Sequence, residues 1–281
     1  MVTSVGGPPL GSITNVFSDS GGTNIACAIN ASGSLWCWGN GSNGVLGNGY
    51  TYNSTFAVPV LSQSGGSQFT GVAQLAVSGD HACALKTNGT LWCWGNNTDG
   101  QLGLGTTQAQ VLYPTQVTFP GDAMGVVNVV VTAGSSNTGP LSCAVTGDGR
   151  VWCWGSNESG ALANGLTTGT ATSPTAILTS GSDAAVDFGG AAEVQFYNSN
   201  TYGDSSPWVC VVVRKSADGS LWVWGNDTSS LFPQPYLEGE DVPVSGALSL
   251  APTTEYSPEF IASDGTLHLL GGPAPVPLSC P

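Results

Sequence analysis

The sequence predicts an all-β fold, a β-propeller of about five four-stranded blades in a single domain over residues 1–281. Three observations carry this prediction. A repeated unit covers nearly the whole chain. Each unit contains a hairpin with a further strand-like run on either side, which gives four antiparallel strands. The 41 glycines in 281 residues, about 15% against a usual ~7%, indicate many tight turns. A four-stranded antiparallel unit repeated along a chain is typical of a propeller.

The repeated unit is clearest in three segments. They read CAINASGSLWCWGN from Cys27, CALKTNGTLWCWGN from Cys83 and CAVTGDGRVWCWGS from Cys143. A fourth copy, ADGSLWVWGN from Ala217, lacks the second cysteine, and a fifth, FIASDGTLHLLGG from Phe260, lacks both tryptophans. Steps of 56, 60, 70 and 46 residues separate the corresponding positions Trp36, Trp92, Trp152, Trp222 and His268. We expect the five repeats at about 13–61, 72–119, 127–178, 192–244 and 247–281.

Each unit predicts a β-hairpin that turns at a dipeptide suited to positive φ. The five turns are Ser32-Gly33, Asn88-Gly89, Asp148-Gly149, Asp218-Gly219 and Asp264-Gly265. Folding the second unit about Asn88 places Cys83 opposite Cys93, where Cα separations of ~4.5–5.5 Å suit a disulfide. The same register places each small residue opposite a tryptophan, which favours cross-strand packing. We therefore predict the disulfides Cys27–Cys37, Cys83–Cys93 and Cys143–Cys153.

The fourth hairpin predicts a different arrangement. Pairing Cys210 with Val223 leaves Arg214 and Lys215 in an enlarged loop and keeps both charges out of the core. Cys210 then has no partner within the hairpin, so a Cys210–Cys280 bond that fastens the C-terminal segment is our hypothesis. A zinc site is the weaker interpretation of the cysteines, because CxxC spacing is absent from the sequence.

Two further strand-like runs flank each hairpin. The runs before the hairpins are Ile13–Ser18, Val72–Ser78, Val127–Thr132, Ala192–Tyr197 and Ala247–Ala251. Those after the hairpins are Phe56–Leu61, Val111–Phe119, Ser173–Leu178, Pro235–Val244 and Pro273–Leu278. The second group carries prolines, which suit an edge strand because an edge strand needs no donor on its outer side.

One longer string extends the hairpin on both sides: Gly-x-His-x-Cys-Ala-Leu, then Gly-x-Leu-Trp-Cys-Trp-Gly-x-Asn-x-x-Gly-x-Leu-Gly. It stands at Gly79–His81, Cys83–Leu85, Gly89, Leu91–Gly95, Asn97, Gly100, Leu102 and Gly103. This string resembles the repeat of the regulator of chromosome condensation (RCC1) superfamily, in the cysteine-bearing form of its bacterial and environmental branch. The resemblance implies a propeller, usually of seven blades, that serves as a binding platform. This chain departs from the pattern by having about five units.

The charge balance excludes two classes of partner. Only four residues are basic against 18 acidic, for a formal net charge of −14. Nucleic-acid binding needs clustered cations to neutralise phosphates, and attraction to an anionic membrane needs the same. We expect neither nucleic-acid binding nor membrane insertion, and the scarcity of basic residues also argues against the chromatin functions of the RCC1 superfamily.

The cysteines and the N-terminal segment give different indications of location. Repeated disulfides indicate an oxidising environment, so we expect an extracellular, cell-surface or virion location. The segment Met1–Ser12 shows no signal peptide. Either a signal has been removed or lies outside this numbering, or the protein leaves the cell within a particle and oxidises later.

The sequence offers little catalytic chemistry. His81 lies in the repeat motif, which favours a structural hydrogen-bonding role, and His268 replaces a repeat tryptophan. No serine or cysteine nucleophile can be assigned a base. The acidic run Glu238, Glu240 and Asp241 could hold Ca²⁺, but a solvated loop is the simpler interpretation. We predict no catalytic residue, no metal and no cofactor.

Departures from the repeat mark the candidate partner-binding residues. In an up-and-down blade the first and third connections emerge at the same end, and several of them are enlarged here. We expect one face to carry Tyr50, Tyr52, Tyr202, Asp204 and, at its edge, Trp208. Sequons that would be glycosylation sites in a eukaryotic protein lie at Asn30, Asn40, Asn53, Asn88, Asn96, Asn157 and Asn226.

We therefore expect a non-enzymatic β-propeller that is a structural or recognition subunit of a larger assembly, such as a virion, tail fibre or extracellular filament. Its partner is expected to be a protein, either another copy or another particle subunit, or a surface glycan. The alternative is a secreted monomeric binding protein, an adhesin or an enzyme-inhibitor-like protein. A propeller hydrolase or lyase is a more distant alternative.

Overall fold

The fold was examined in a computed structural model. It describes residues 10–19, 24–121, 124–133, 139–158, 160–178, 188–199, 208–225, 234–235, 237–238, 242–243, 246–251, 259–262 and 267–269. Within these ranges the chain is almost entirely strand and turn, with one short 3-10 turn at Ser42–Gly44. No helix in this part of the chain is long and apolar enough to cross a membrane.

The strands form successive antiparallel sheets in chain order, and we call each main sheet a blade. Blade 1 contains β1 (Ile13–Ser18), β2 (Ile25–Asn30), β3 (Leu35–Gly39) and β4 (Ser54–Pro59). Blade 2 contains β5 (Val72–Val77), β6 (His81–Lys86), β7 (Leu91–Asn96) and β8 (Gln110–Gln116). Blade 3 contains β9 (Val126–Thr132), β10 (Leu141–Thr146), β11 (Val151–Ser156) and β12 (Thr170–Ala176).

The last two blades continue the series. Blade 4 contains β13 (Ala191–Ser199), β14 (Trp208–Lys215), β15 (Leu221–Gly225) and β16 (Gln234–Pro235). A two-stranded ribbon follows, β17 (Leu237–Glu238) with β18 (Val242–Pro243). Blade 5 has three described strands, β19 (Ala247–Ala251), β20 (Glu259–Ala262) and β21 (Leu267–Leu269).

The all-β propeller prediction is confirmed by these sheets. One of the predicted edge strands differs from the prediction, and another is not tested. The Pro235–Val244 run is divided among β16, β17 and β18 rather than forming one strand. The Pro273–Leu278 run lies outside the described residues.

The first three hairpins have the predicted register. Cys27 pairs with Cys37, Cys83 with Cys93 and Cys143 with Cys153, and each pair is a disulfide with a Cα–Cα separation of 4.0 to 4.1 Å. The adjacent pairs place a small residue opposite a tryptophan, an alanine in every case except Ser142 opposite Trp154. Disulfide and tryptophans therefore lie on opposite faces of the hairpin, because successive side chains of a strand alternate.

The predicted register of the fourth hairpin is wrong by two residues. Cys210 pairs with Gly225, and Val212 pairs with Val223 in the place that the disulfide occupies in the other blades. The turn is only one residue longer than in blade 2, since the Lys215 amide donates to the Ser220 carbonyl. Cys210 is disulfide-bonded, while Cys280, its predicted partner, lies outside the described residues.

The enlarged loop was predicted so that Arg214 and Lys215 would be solvated. Both charges instead have partners within the fold. Arg214 lies in β14 opposite Leu221, and its Nε donates to Glu193 Oε2 at 3.2 Å. The Lys215 ammonium lies 4.5 Å from the ring centroids of both Phe188 and Trp222. The sequence interpretation placed both charges in a solvated loop. In the structure Arg214 forms an ion pair and Lys215 forms a cation–π contact, so neither needs that loop.

Neighbouring blades pack through the same two faces each time. We call the disulfide side of a blade its front face and the tryptophan side its rear face, and we keep these names for blades 4 and 5. The front face of blade 1, with Cys27 and Cys37, shares a core with the rear face of blade 2, with Trp92 and Trp94. Blades 2 and 3 repeat this contact, as do blades 3 and 4.

Each of these contacts includes a hydrogen bond from an indole N–H group. The indole Nε1 of the second hairpin tryptophan donates at 2.8 Å to a backbone carbonyl of the preceding blade. The three bonds are Trp94 to Val45, Trp154 to Gln101 and Trp224 to Ala161. Close approach explains one motif glycine: at Gly103 (φ +70°) a Cβ atom would lie 2.8 Å from Trp154 Nε1.

A phenylalanine from each interblade linker completes the contact. Phe69 packs against Trp92 and Trp94, with ring centroids 5.6 and 6.3 Å apart in edge-on geometry. Phe119 and Phe188 do the same at the next two contacts. Offset and edge-on aromatic pairs add to the free energy of burial, so each linker also stabilises the blade that follows it.

Replacing the blade 3 disulfide tests how much the crosslinks stabilise the fold. The double variant Cys143→Val/Cys153→Val copies the Val212–Val223 pair of blade 4 and should fold, because the volume is filled by similar apolar groups. We expect the free energy of unfolding, measured by denaturant titration, to fall by about 2–3 kcal/mol through loss of the short crosslinked loop. An unchanged value would contradict a stabilising role for the crosslink.

Candidate functional site

Three polar side chains converge at the boundary between blades 2 and 3. His81 Nδ1 lies 2.7 Å from Asp80 Oδ1, and His81 Nε2 lies 2.9 Å from Ser142 Oγ. The Asp80 carboxylate also accepts hydrogen bonds from Ser78 Oγ at 3.0 Å and Asn96 Nδ2 at 3.3 Å. The connectivity is that of a serine–histidine–aspartate triad, so its chemistry has to be examined.

The hydrogen-bond directions argue against a nucleophile and base. Ser142 donates its hydroxyl proton to the Gln101 carbonyl at 2.8 Å, so the ring nitrogen Nε2 donates to Ser142. Nδ1 lies 2.7 Å from a carboxylate oxygen of Asp80. A ring that donates to the serine hydroxyl cannot remove its proton.

Burial leads to the same conclusion. His81 and Ser142 are fully buried between the two blades, whereas a nucleophile must meet a substrate. The structural role predicted for His81 fits this setting: it joins the front face of blade 2 to the rear face of blade 3. The expectation that no serine can be assigned a base did not foresee the contact between His81 and Ser142.

A sequence signal for this contact was available. Ser142 stands where the other cysteine hairpins have Ala26 and Ala82, and His81 stands where blade 1 has Ile25. Two polar replacements at facing positions of consecutive repeats indicate a shared hydrogen bond. Comparing the repeats across the interface, rather than within one hairpin, would have shown it.

The pKa of Asp80 reflects the same cluster. Burial of the carboxyl raises its pKa, but the charge of His81 and the hydrogen bonds from His81, Ser78 and Asn96 outweigh burial and hold the pKa below its usual 3.8. The ionised carboxylate is thus the form that the fold prefers.

The exposed part of the candidate site is a tyrosine pair on the loop between β3 and β4. Tyr50 and Tyr52 are 54% and 61% exposed, and their rings stack with centroids 4.9 Å apart. The Gly41 amide donates to Asn53 Oδ1 at 3.1 Å across the base of the loop. Gly49 approaches Tyr113 of blade 2 so closely that a Cβ atom would lie 2.1 Å from the phenol oxygen. The pair therefore projects from a loop fixed at both sides.

The structure brings only part of the predicted face together. Tyr202 and Asp204 lie outside the described residues, and Trp208 is the first residue of β14, opposite Ser199. Glu238 lies in β17, while Glu240 and Asp241 lie outside the described residues. His268 pairs with Phe260 in blade 5.

The sequons occupy several settings. The side-chain oxygens of Asn30, Asn40, Asn88 and Asn96 each accept a backbone amide two residues ahead, which makes them turn-forming residues. Asn53 is exposed. Asn157 is fully buried, and its Nδ2 donates to the Leu166 and Thr168 carbonyls, so that amide is already engaged in the folded protein. Asn226 lies outside the described residues.

Two family models match the chain, both described as "Regulator of chromosome condensation (RCC1) repeat". One matches residues 32–85 and 88–139, and the other matches residues 72–101 and 129–161. These ranges contain the second and third cysteine hairpins and the second strand of the first.

Curated relatives match about half of the chain. The RCC1 domain-containing protein RUG3, mitochondrial, of Arabidopsis thaliana is 34% identical over 140 residues, which is 50% of this chain and 29% of the relative. The ultraviolet-B receptor UVR8 of Arabidopsis thaliana is 30% identical over 151 residues, 53% of this chain and 32% of the relative. The chain thus spans about a third or less of the length of these two proteins.

Solved structures with the same fold match more of the chain. Human WBSCR16 superposes with a TM-score of 0.59 at 19% identity, over 87% of this chain and 57% of that one. Yeast RCC1 (Prp20), in its structure with Kap60 bound, superposes with a TM-score of 0.56 at 16% identity, over 85% and 50%.

The Asp80–His81 contact predicts a specific pH dependence. A carboxyl whose folded pKa lies below its usual 3.8 stabilises the fold above that value, and this contribution is lost as the pH falls through the folded pKa. Asp80→Asn should lower the free energy of unfolding at neutral pH by about 1–3 kcal/mol. The deficit should shrink at an acidic pH below the folded pKa of Asp80, where the wild-type carboxylate is also neutral.

Denaturant titrations of the wild type and Asp80→Asn at both pH values test this prediction. Asp99→Asn is the matched control, because that carboxylate bonds Thr98 rather than the imidazole. Equal pH dependence of the wild type and Asp80→Asn would show that the Asp80–His81 contact contributes nothing.

Proposed function

We propose that this chain, an RCC1-like repeat protein, is a non-enzymatic recognition module that binds a protein partner through loops at one end of its propeller. The RCC1-like propeller supports a protein-interaction role in general. The observation that carries the specific proposal is the exposed, stacked pair Tyr50 and Tyr52 on a fixed loop.

The chemistry of the tyrosine pair suits a protein surface. Tyrosine is enriched at the centres of protein interfaces, because a large rigid ring gives contact area at small cost in conformational entropy. The fixed loop lowers that cost further, since little is left to be ordered on binding. Phe56 of β4 is also exposed.

The charges of the chain disfavour an anionic ligand. Arg150 and Arg214 are each paired with a carboxylate, Asp148 and Glu193 respectively. The lysine ammonium groups lie against aromatic rings, Lys86 over Phe69 and Lys215 over Phe188. With all four basic residues engaged and a net charge of −14, recognition depends on aromatic and neutral polar contacts.

A working location outside the reducing cytosol is part of the proposal. Three fully buried disulfides, each between adjacent strands of one hairpin, support it because such bonds persist in oxidising compartments. In that setting the chain acts as a recognition subunit displayed on a cell surface, filament or virion. Yeast RCC1 offers a parallel only in kind: it is a propeller of this type with a protein, Kap60, bound in its solved structure.

Removing both tyrosines tests the proposed function. We expect Tyr50→Ala/Tyr52→Ala to bind at least roughly tenfold more weakly, since aromatic interface anchors each contribute about 2 kcal/mol or more. Labelled protein is titrated onto intact cells or particles from the source, and bound label is measured. Met124→Ala, which removes another exposed apolar side chain, is the control and should bind like the wild type.

Pretreating the cells or particles distinguishes the partner classes. Loss of binding after protease treatment supports a protein partner, whereas loss after periodate oxidation alone supports a glycan and overturns the proposed class. Equal binding by the double variant and the wild type overturns the assignment of the tyrosine pair.

A further inference from the structure

The rear face of blade 1 differs from the rear faces of the other blades. Val16 of β1 is 64% exposed. In blades 2 to 5 the residues at the same position of the first strand are between 0% and 7% exposed. Each pairs with the same position of its second strand as Val16 does in blade 1. They are Leu75, Val129, Val194 and Leu250. An apolar position that is buried in four blades is thus open in the first.

The second tryptophan of the blade 1 hairpin is likewise more exposed than its equivalents in blades 2, 3 and 4. Trp94, Trp154 and Trp224 are fully buried and donate their indole N–H groups to the preceding blade. Trp38 occupies the equivalent position in blade 1 and is only half-buried. The rear face of blade 1 therefore exposes apolar surface that the preceding blade buries in blades 2, 3 and 4.

A polar contact between first strands identifies what covers such a face. Gln74 Nε2 donates to the Val129 carbonyl at 3.3 Å, and Asn128 Oδ1 accepts the Val194 amide at 2.9 Å. Glu193 Oε2 accepts the Leu250 amide at 2.7 Å. In every case the residue contacted through its backbone is the equivalent of Val16. In blades 3, 4 and 5 the residue equivalent to Val16 therefore lies against the first strand of the preceding blade.

The complementary surface lies at the other end of the series. Ile261 of blade 5 is 37% exposed and lies on the front face, opposite Leu267. Its equivalents in blades 1 to 3, Ile29, Leu85 and Val145, are buried. Ser249, which pairs with Ile261, stands at the position of Glu193 in blade 4. Blade 1 therefore exposes a rear-face position, and blade 5 a front-face position, that are buried against each other where consecutive blades pack.

We propose that the rear face of blade 1 binds the front face of blade 5 of a second copy of this chain, head to tail. Within the described part of one chain the two faces do not cover each other, because Val16 and Ile261 are both exposed there. The same chemistry already joins blades 1 and 2, 2 and 3, and 3 and 4, so the new interface continues an existing series. Such a heterologous contact forms a closed ring or an open filament.

The net charge of −14 gives this association a characteristic salt dependence. Copies repel each other at low ionic strength, while the contact itself is apolar. Added salt screens the repulsion, so association should become stronger with ionic strength. The proposed surface is separate from Tyr50 and Tyr52, so either proposal can fail without the other.

Exposed-residue variants test the proposal on the full chain. Val16→Glu and Ile261→Glu each place a charge at one half of the interface and should leave the fold intact, since both side chains face solvent. Val127→Glu is the matched control: it is an exposed valine on the first strand of blade 3, whose rear face blade 2 already covers. Sedimentation velocity over a concentration and salt series measures assembly.

Mixing the two variants tests the head-to-tail direction. We expect the wild type and Val127→Glu to self-associate, and Val16→Glu and Ile261→Glu each to be monomeric alone. An equimolar mixture of the two variants should form a one-to-one pair, because one copy keeps its rear face and the other its front face.

Two results overturn the proposal. A wild type that stays monomeric across the series shows that no second copy binds this face. Loss of assembly in Val16→Glu but not in Ile261→Glu shows a contact between two rear faces instead. Circular dichroism and non-reducing electrophoresis establish that each variant is folded with its disulfides intact.

Discussion

The fold depends on one constraint: the tryptophan faces of blades 2, 3 and 4 are each covered by the disulfide face of the blade before. A hairpin alone cannot bury two indoles, and its disulfide fixes only its own strands. The contact between blades supplies a carbonyl for the indole N–H, a phenylalanine from the linker and an apolar wall. Stability therefore lies between blades rather than within them, which is why the unit is repeated.

Much of this arrangement could be predicted from the sequence, because it is local. The turn dipeptides and the ten-residue cysteine spacing determine the register of the first three hairpins without reference to any neighbour. The fourth hairpin was mispredicted because its charges were assigned to solvent, whereas Arg214 pairs with Glu193 and Lys215 lies over Phe188 and Trp222. Partners for those groups come from a neighbouring strand and an interblade linker, which pairing within one hairpin does not consider.

The candidate functional residues follow the same division. Tyr50 and Tyr52 could be identified because they depart from the repeat in a loop, and the structure adds their stacking and the contact of Gly49 with Tyr113. The His81–Ser142 contact and the open face around Val16 were missed. Both are properties of a boundary between blades, and each hairpin taken alone contains only one side of that boundary. Two of the four cations are explained at this boundary, since Lys86 and Lys215 lie over phenylalanines of the interblade linkers.

The most direct test of this account measures the indole N–H groups themselves. In the Val16→Glu variant labelled with 15N-tryptophan, hydrogen exchange at Nε1 can be followed for each tryptophan by NMR. The account predicts strong protection for Trp94, Trp154 and Trp224, whose indoles are buried and bonded to the preceding blade, and fast exchange for Trp38 on the uncovered face. Equal protection of all four indoles would contradict the claim that the preceding blade covers the tryptophan faces of blades 2, 3 and 4 while that of blade 1 is uncovered.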